Sequence, residues 1–207
     1  MAGERGAWGA RHTLAWLGVA FGAGCLPSGR LVTRALTGDS LSDLGDGKQG
    51  SSNVARSLGW KPGAAVLAMD AGKAFVPASL ARLSGAGTGT VAALGITAMA
   101  AHIAVVKGRG AAAALGAAFA MDPGMMAAGC VPLVGGSLLH RHAQAVSVTA
   151  LSLPVLSLVL HRSPARARWP LLLIAVLFAA RIKGSAGAGW PATPAVWWSR
   201  FWLDRDA

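Results

Sequence analysis

Apolar stretches at residues 13–25, 63–83, 86–106, 110–121, 124–139, 144–160 and 170–180 follow one another along the chain, separated by short clusters of cations and glycines. They are continuously apolar rather than alternating, and rich in alanine and leucine. That pattern predicts helices in lipid and argues against a β-barrel. Composition agrees, with 54% hydrophobic and 13% charged residues, against about a quarter charged in soluble domains. A disordered chain, a coiled coil and an ordinary soluble domain are excluded. Lysine and arginine total 19 against 8 acids, a formal net charge of +11, which suits nucleic acid or an anionic membrane face. The cations lie between apolar runs rather than on one solvated face, so membrane lipids are the expected partner and nucleic acid is not. The expected fold is all-α, a polytopic integral membrane bundle of about seven helical segments forming one domain over residues 1–207.

Several runs are shorter than the roughly 20 residues of a straight span, so tilted or half-spanning helices are expected. Glycines inside the runs, such as Gly85, Gly87, Gly89, Gly135 and Gly136, predict close helix approach. The sequence Gly22-Ala23-Gly24-Cys25 has the outline of a lipoprotein cleavage site, but Gly22 stands where a branched aliphatic belongs, and a retained first helix is the better reading. Cys25 and Cys130 lie far apart in apolar surroundings and predict neither a disulfide framework nor a zinc site. Residues 184–207 interleave Trp190, Trp197, Trp198 and Trp202 with prolines and arginines, as an interfacial segment does. If every run crosses the bilayer, the 33–62 loop and the Lys107 loop share the cytoplasmic side, while Arg162, Arg166 and Arg168 fall on the other. That opposes the tendency of cations to stay inside, and a half-spanning 110–121 segment would remove the conflict.

Ionisable residues within apolar runs are costly unless they face a partner or a cavity. Asp70 and Lys73 stand three apart on one helical face, either as an internal ion pair or as part of a site. The polar 33–62 loop contains Gly45-Asp46-Gly47-Lys48-Gln49-Gly50-Ser51-Ser52-Asn53-Val54-Ala55-Arg56. Its glycines free backbone N–H groups to line an anion, and Lys48 and Arg56 add positive charge; without that role it is a flexible polar turn. Lys107-Gly108-Arg109-Gly110 places two cations around a glycine, as an oxyanion pocket or as a topology signal. His102, just before it, is a helix-packing donor or a catalytic group.

The order of these blocks is specific. Gly24-Cys25-Leu26-Pro27-Ser28-Gly29, then residues 45–56 with Leu58-Gly59, then Asp70-Ala71-Gly72-Lys73 with Pro77, then His102 and Lys107-Gly108-Arg109-Gly110 running on to Asp122-Pro123, resemble the bacterial membrane glycerol-3-phosphate acyltransferases that use acyl-phosphate donors. The resemblance covers residues 24–123 and, more weakly, Ser147-Val148-Thr149. It implies a seven-helix enzyme of the bacterial cell membrane (inner or plasma membrane). Such an enzyme moves an acyl group from acyl phosphate to the 1-hydroxyl of glycerol 3-phosphate, making lysophosphatidic acid with no metal and no cofactor. By the same resemblance the two phosphates are held by Gly47, Lys48, Gly50, Ser52 and Asn53 in one loop and by Lys107, Gly108, Arg109 and Gly110 in the other. Asp46, Arg56 and His102 are the expected catalytic residues, supported by Asp70 and Lys73.

This chain departs from the family pattern at defined positions. The block Gly-Ser-Gly-Asn-x-Gly-Ala-Thr-Asn is carried as residues 45–53, with Asp46 for the serine and Lys48 for the first asparagine. Asp46 offers a general base for the glycerol hydroxyl, or an ion pair with Lys48 or Arg56. The Lys-Gly-Gly-Lys-Gly block is one residue shorter, with Arg109 for its second lysine. The stretch from His102 to Lys107 lacks about four residues of the family spacing, including an aromatic-proline pair, and Arg181-Ile182-Lys183-Gly184 does not match the C-terminal His-Arg-x-Asn block. Two other readings follow: a catalytically silent relative that binds lipid phosphate or a membrane partner, and a small transporter with Asp70 and Lys73 on its pathway. The transporter lacks the expected inverted repeats.

Overall fold

The computed structural model describes residues 8–45, 48–184 and 189–205, and these are helical with no strand among the described residues. Asp46 and Gly47, two of the expected site residues, lie outside the described residues. Helices α1 (Ala10–Gly24), α4 (Trp60–Leu83), α5 (Thr88–Ala101), α6 (Ala111–Met121), α7 (Pro123–Leu138), α8 (His142–His161) and α9 (Pro164–Lys183) account for the seven apolar runs. Helices α2 (Ser28–Thr37) and α3 (Ser51–Leu58) come from the polar loop, and α10 (Pro194–Trp198) belongs to the tail. Among the described residues three helices are long and apolar enough to cross a membrane: Trp60–Leu83, Thr88–Val106, which is α5 with the turn that continues it, and His142–His161. Helix α9 extends past its apolar run at both ends, from Pro164 at its first turn to Lys183. Proline is favoured at a helix start, where its missing N–H costs nothing.

Small residues set the spacing of the bundle. Residues Ala74, Ala78, Ala92, Ala98, Ala113, Ala117 and Ala118 have no solvent exposure, so α4, α5 and α6 meet almost backbone to backbone. A Cβ at Gly95 would lie 2.7 Å from the Ala117 methyl, and one at Gly136 would lie 2.6 Å from that of Ala145. At Gly116 the clash is with the backbone carbonyl of Ala71 on α4, which has no rotamer to escape through. Gly116→Ala is therefore expected to force α4 and α6 apart at a cost of about 1–3 kcal/mol, lowering the melting temperature of the detergent-solubilised protein by about 5 °C. Gly18→Ala in α1, where a Cβ meets nothing within 4 Å, should leave it unchanged or slightly higher.

The helices pass between two ends. Arg82, in the last turn of α4, donates through Nη1 to the Ala120 carbonyl at 3.2 Å. The Asp122 carboxylate caps α7 by accepting from the Met125 N–H at 2.9 Å and pairs with His161 at the end of α8. Arg166, in the first turn of α9, reaches the other ring nitrogen of His161 at 3.1 Å. Helix α5, with its continuation to Val106, carries the chain back across the bundle, so the 107–110 loop lies at the opposite end from Arg82 and Arg166. Helix α6 has 11 residues, about 16 Å of helix, yet it still joins the 107–110 loop to the Arg82 end. A short α6 thus does not bring the two sets of cations to one side, and Arg166 and His161 stay opposite Lys107.

Candidate active site

Asp70 and Lys73 occupy one face of α4 a turn apart, and α5 presents His102 to them. Lys73 Nζ lies 2.5 Å from Asp70 Oδ1 and 3.3 Å from His102 Nδ1, while that same Nδ1 is 3.8 Å from Asp70 Oδ1. The three residues are buried, at 2%, 5% and 3% exposure. A protonated ammonium has only donors, so its contact with the imidazole is Nζ–H donating to Nδ1. That fixes the imidazole proton on Nε2. An ion pair at this depth is tolerated because each charge has a partner, and removing one partner leaves the other uncompensated.

Nε2 faces the glycine-rich loop. Residues 102–106 form a widened π turn that ends α5, and Lys107 follows in the left-handed region at φ 61°. Such a conformation is uncommon for a residue with a side chain. Gly110, also left-handed at φ 79°, starts α6. The Gly108 N–H donates back to the His102 carbonyl at 3.4 Å, and a Cβ on Gly108 would fall onto His102 Nε2. The imidazole cannot swing aside without releasing Lys73. Gly108→Ala is therefore expected to reduce any activity of this site at least about tenfold, the equivalent of one displaced hydrogen bond. Gly135→Ala on α7, with open space around it, should retain parent activity in the same assay.

The other loop packs against the first turns of α4. Val54 of α3 joins Leu41 and Val66 in a small buried cluster, and Gly63 meets Ala55 so closely that a Cβ there would lie 2.4–3.0 Å from Ala55 atoms and cannot be accommodated. Asn53, 1% exposed, donates through Nδ2 to the carbonyls of Leu44 at 3.0 Å and Lys48 at 3.1 Å, closing the loop on itself. Gly45 is left-handed at φ 57°, and a side chain there would strike Asn53 and Ser57. Gln49 is held by Arg30, whose Nε donates to Oε1 at 3.1 Å. Gly50 precedes the first turn of α3; Ser52 and Arg56 are exposed and Lys48 is half-buried. The first-turn N–H groups of α3 and the Ser52 hydroxyl form an arrangement suited to an anion.

Asp70, Lys73, His102 and Gly108 thus form one cluster, and α3 packs through Val54 on Val66 of α4, which precedes Asp70 by about one helical turn. Arg109 turns toward a different set of residues. Its Nη1 meets Asp204 Oδ1 at 2.5 Å and the Asp204 carbonyl at 3.1 Å. Behind Asp204 lies Arg181, 1% exposed, whose Nη1 donates to the Oγ of fully buried Ser147 at 2.8 Å. The sequence reading weighs Arg181 only as part of an unmatched block, because the apolar run ends at Ala180 and leaves it outside the helix, and it does not single out Asp204. Ser147 belongs to the weakest block of the resemblance. Among the described residues no group of three His, Cys, Asp or Glu side chains is arranged to hold a metal. A cavity of about 240 Å³ at the opposite end, lined by Arg82, Asp122, His161, Arg166 and Trp169 among others, contains none of the expected site residues.

The model of the glycerol-3-phosphate acyltransferase family matches residues 14–186. The chain belongs to that family. A glycerol-3-phosphate acyltransferase of Geobacter sulfurreducens is 31% identical over 152 residues, covering 70% of this chain and 78% of the relative. One from Anaeromyxobacter sp. (strain K) is 34% identical over 140 residues, covering 63% and 70%. The fold superposes on the crystal structure of PlsY (YgiH), an integral membrane glycerol 3-phosphate acyltransferase in its glycerol 3-phosphate form. The TM-score is 0.72 at 25% identity, over 82% of this chain and 88% of that one. The family region contains both loops and the Asp70–Lys73–His102 cluster, and ends before the described tail residues 189–205.

Proposed function

We propose that this protein acylates the 1-hydroxyl of glycerol 3-phosphate, with acyl phosphate as the donor, giving lysophosphatidic acid in the inner or plasma membrane of a bacterium. The observation that carries the proposal is the buried Asp70–Lys73–His102 cluster, which directs an imidazole Nε2–H at a glycine loop bearing Lys107 and Arg109 within a family fold. Both substrates are anionic, and their phosphates suit the cations Lys107, Arg109 and Arg56 and the first turn of α3.

The hydroxyl oxygen attacks the acyl carbonyl carbon, the bond from that carbon to the phosphate oxygen breaks, and inorganic phosphate departs. An acyl phosphate, a mixed carboxylic–phosphoric anhydride, already has a good leaving group, so positioning the two substrates and stabilising developing charge suffice without a covalent nucleophile. His102 supplies a fixed donor at Nε2, held in that tautomer by Lys73, and Asp70 keeps the lysine ammonium in place. Asp46 is the loop carboxylate that takes the hydroxyl proton. Supplying the purified protein with palmitoyl phosphate or palmitoyl coenzyme A, each with labelled glycerol 3-phosphate, tests the donor. Labelled lysophosphatidic acid is expected with acyl phosphate alone; product formed from the thioester alone would overturn the donor assignment.

A further inference from the structure

We propose that Asp204 in the tail is a built-in occupant of a phosphate position between Arg109 and Arg181, and that a phosphate group of a substrate displaces it. The inference rests on the acyltransferase reading of the neighbouring loop and adds a gate to it. A single carboxylate oxygen, Asp204 Oδ1, stands 2.5 Å from Arg109 Nη1 and 3.7 Å from Arg181 Nε. Arg181 is buried, and its Nε has no hydrogen-bond partner, although burying an unpartnered donor is costly. At that distance the carboxylate pairs with Arg181 electrostatically but leaves its Nε–H without a hydrogen bond. A tetrahedral phosphate with two charges and at least three acceptor oxygens can bridge Arg109 and Arg181 Nε together.

The contacts that fix the tail to the bundle lie mainly before its last turn. That turn is held by Arg109 donating to the Asp204 carbonyl at 3.1 Å and by the Arg205 N–H donating to the Ser199 carbonyl at 3.4 Å. Arg200, 4% exposed, donates to the carbonyls of Ile182 and Lys183 at 2.9 and 3.2 Å, satisfying the end of α9. Phe201 stacks on Phe178 with ring centroids 4.5 Å apart, and its carbonyl accepts from Ser147 Oγ at 3.4 Å. These anchors precede Asp204, so its carboxylate can leave the partners of Oδ1 while Arg200 and Phe201 keep the tail on the bundle. Asp204 itself follows the helical turn Ser199–Leu203 in the left-handed conformation, φ 56° and ψ 38°, which aspartate adopts more readily than most residues. Its side chain is 27% exposed whereas that of Arg181 is 1% exposed, so the carboxylate can leave for solvent while the arginine stays. Asp204 lies beyond the family-matched region, whereas Arg109 and Arg181 lie within it.

The test uses the full chain in detergent or lipid nanodiscs, comparing the parent with Asp204→Asn and Asp204→Ala. Titration calorimetry with inorganic phosphate should show about five- to tenfold tighter binding in both variants, the scale of one partly exposed ion pair that no longer has to be broken. In turnover assays the KM of one substrate should fall by a similar factor. A lower KM for glycerol 3-phosphate assigns the position to the acceptor, and a lower KM for acyl phosphate assigns it to the donor. Unchanged or weaker phosphate binding in both variants, with neither KM lowered, would overturn the gate and leave Asp204 as a structural tether. Because phosphate binding is read without turnover, the two ideas fail separately. A parent that makes no lysophosphatidic acid, beside variants that bind phosphate more tightly, contradicts the acyltransferase reading and keeps the displaceable carboxylate.

Discussion

Asp70→Ala is expected to lower the melting temperature of the purified protein by about 10 °C or more, whereas the double substitution Asp70→Leu with Lys73→Met should recover most of that loss and remain inactive. The single change leaves the Lys73 ammonium, 5% exposed, with only the neutral His102 Nδ1 at 3.3 Å. Stranding one member of a buried pair costs about 3–5 kcal/mol, whereas replacing both by apolar residues of similar volume is often neutral or favourable. For a chain of this size each kcal/mol is about 2–4 °C. Activity should separate from stability in the double variant. Without Lys73 nothing donates to His102 Nδ1, so the imidazole loses the contact that fixes its proton on Nε2. A stable double variant with parent activity would show that the cluster is only a way of burying two charges.

Arg56→Ala is expected to reduce acyl transfer about a hundredfold, and Arg162→Ala to leave it near the parent level. Both are exposed arginines of the same basic protein, but they stand at opposite ends of the bundle. Arg56 lies in the last turn of α3, one turn beyond Asn53, whose amide closes the anion-suited loop. A guanidinium there can grip a phosphate bidentately, and a charge-assisted hydrogen bond lost from a substrate site is worth about 1.5–3 kcal/mol, up to roughly a hundredfold in rate. Arg162 ends α8 in a left-handed turn beside the His161–Asp122 pair, where headgroup contact is worth about 1 kcal/mol. Steady-state rates with both substrates varied would separate the two positions. Equal, mild losses would mean that the α3 loop does not hold a substrate here.

The helical bundle is legible in the sequence because each run is apolar over several turns and lipid leaves the backbone no alternative to internal hydrogen bonding. The three-residue spacing of Asp70 and Lys73 is equally local, and it gives the ion pair directly. His102 is 29 residues away from Lys73. Which of its ring nitrogens faces the lysine depends on how α4 and α5 pack, a matter of glycines and alanines that no periodicity encodes. Asn53 illustrates another limit: its type suits a phosphate site, but its amide is committed to the loop's own carbonyls. The Ser147–Arg181–Asp204 set joins α8, α9 and the tail. The three lie 34 and 23 residues apart in the chain, so helical spacing could not pair them with one another.

The central claim is that the residues converging around His102 and the 107–110 loop carry out acyl transfer despite the changes at Asp46, Lys48 and Arg109. It is tested most directly by incubating the purified, monodisperse protein with acyl phosphate and labelled glycerol 3-phosphate and following the lipid product over time. The account predicts saturable formation of labelled 1-acyl lysophosphatidic acid, lost in the inactive Asp70→Leu, Lys73→Met double variant. Folded parent protein that binds glycerol 3-phosphate but yields no labelled lipid above the double variant would contradict it and identify the chain as a silent member of the family.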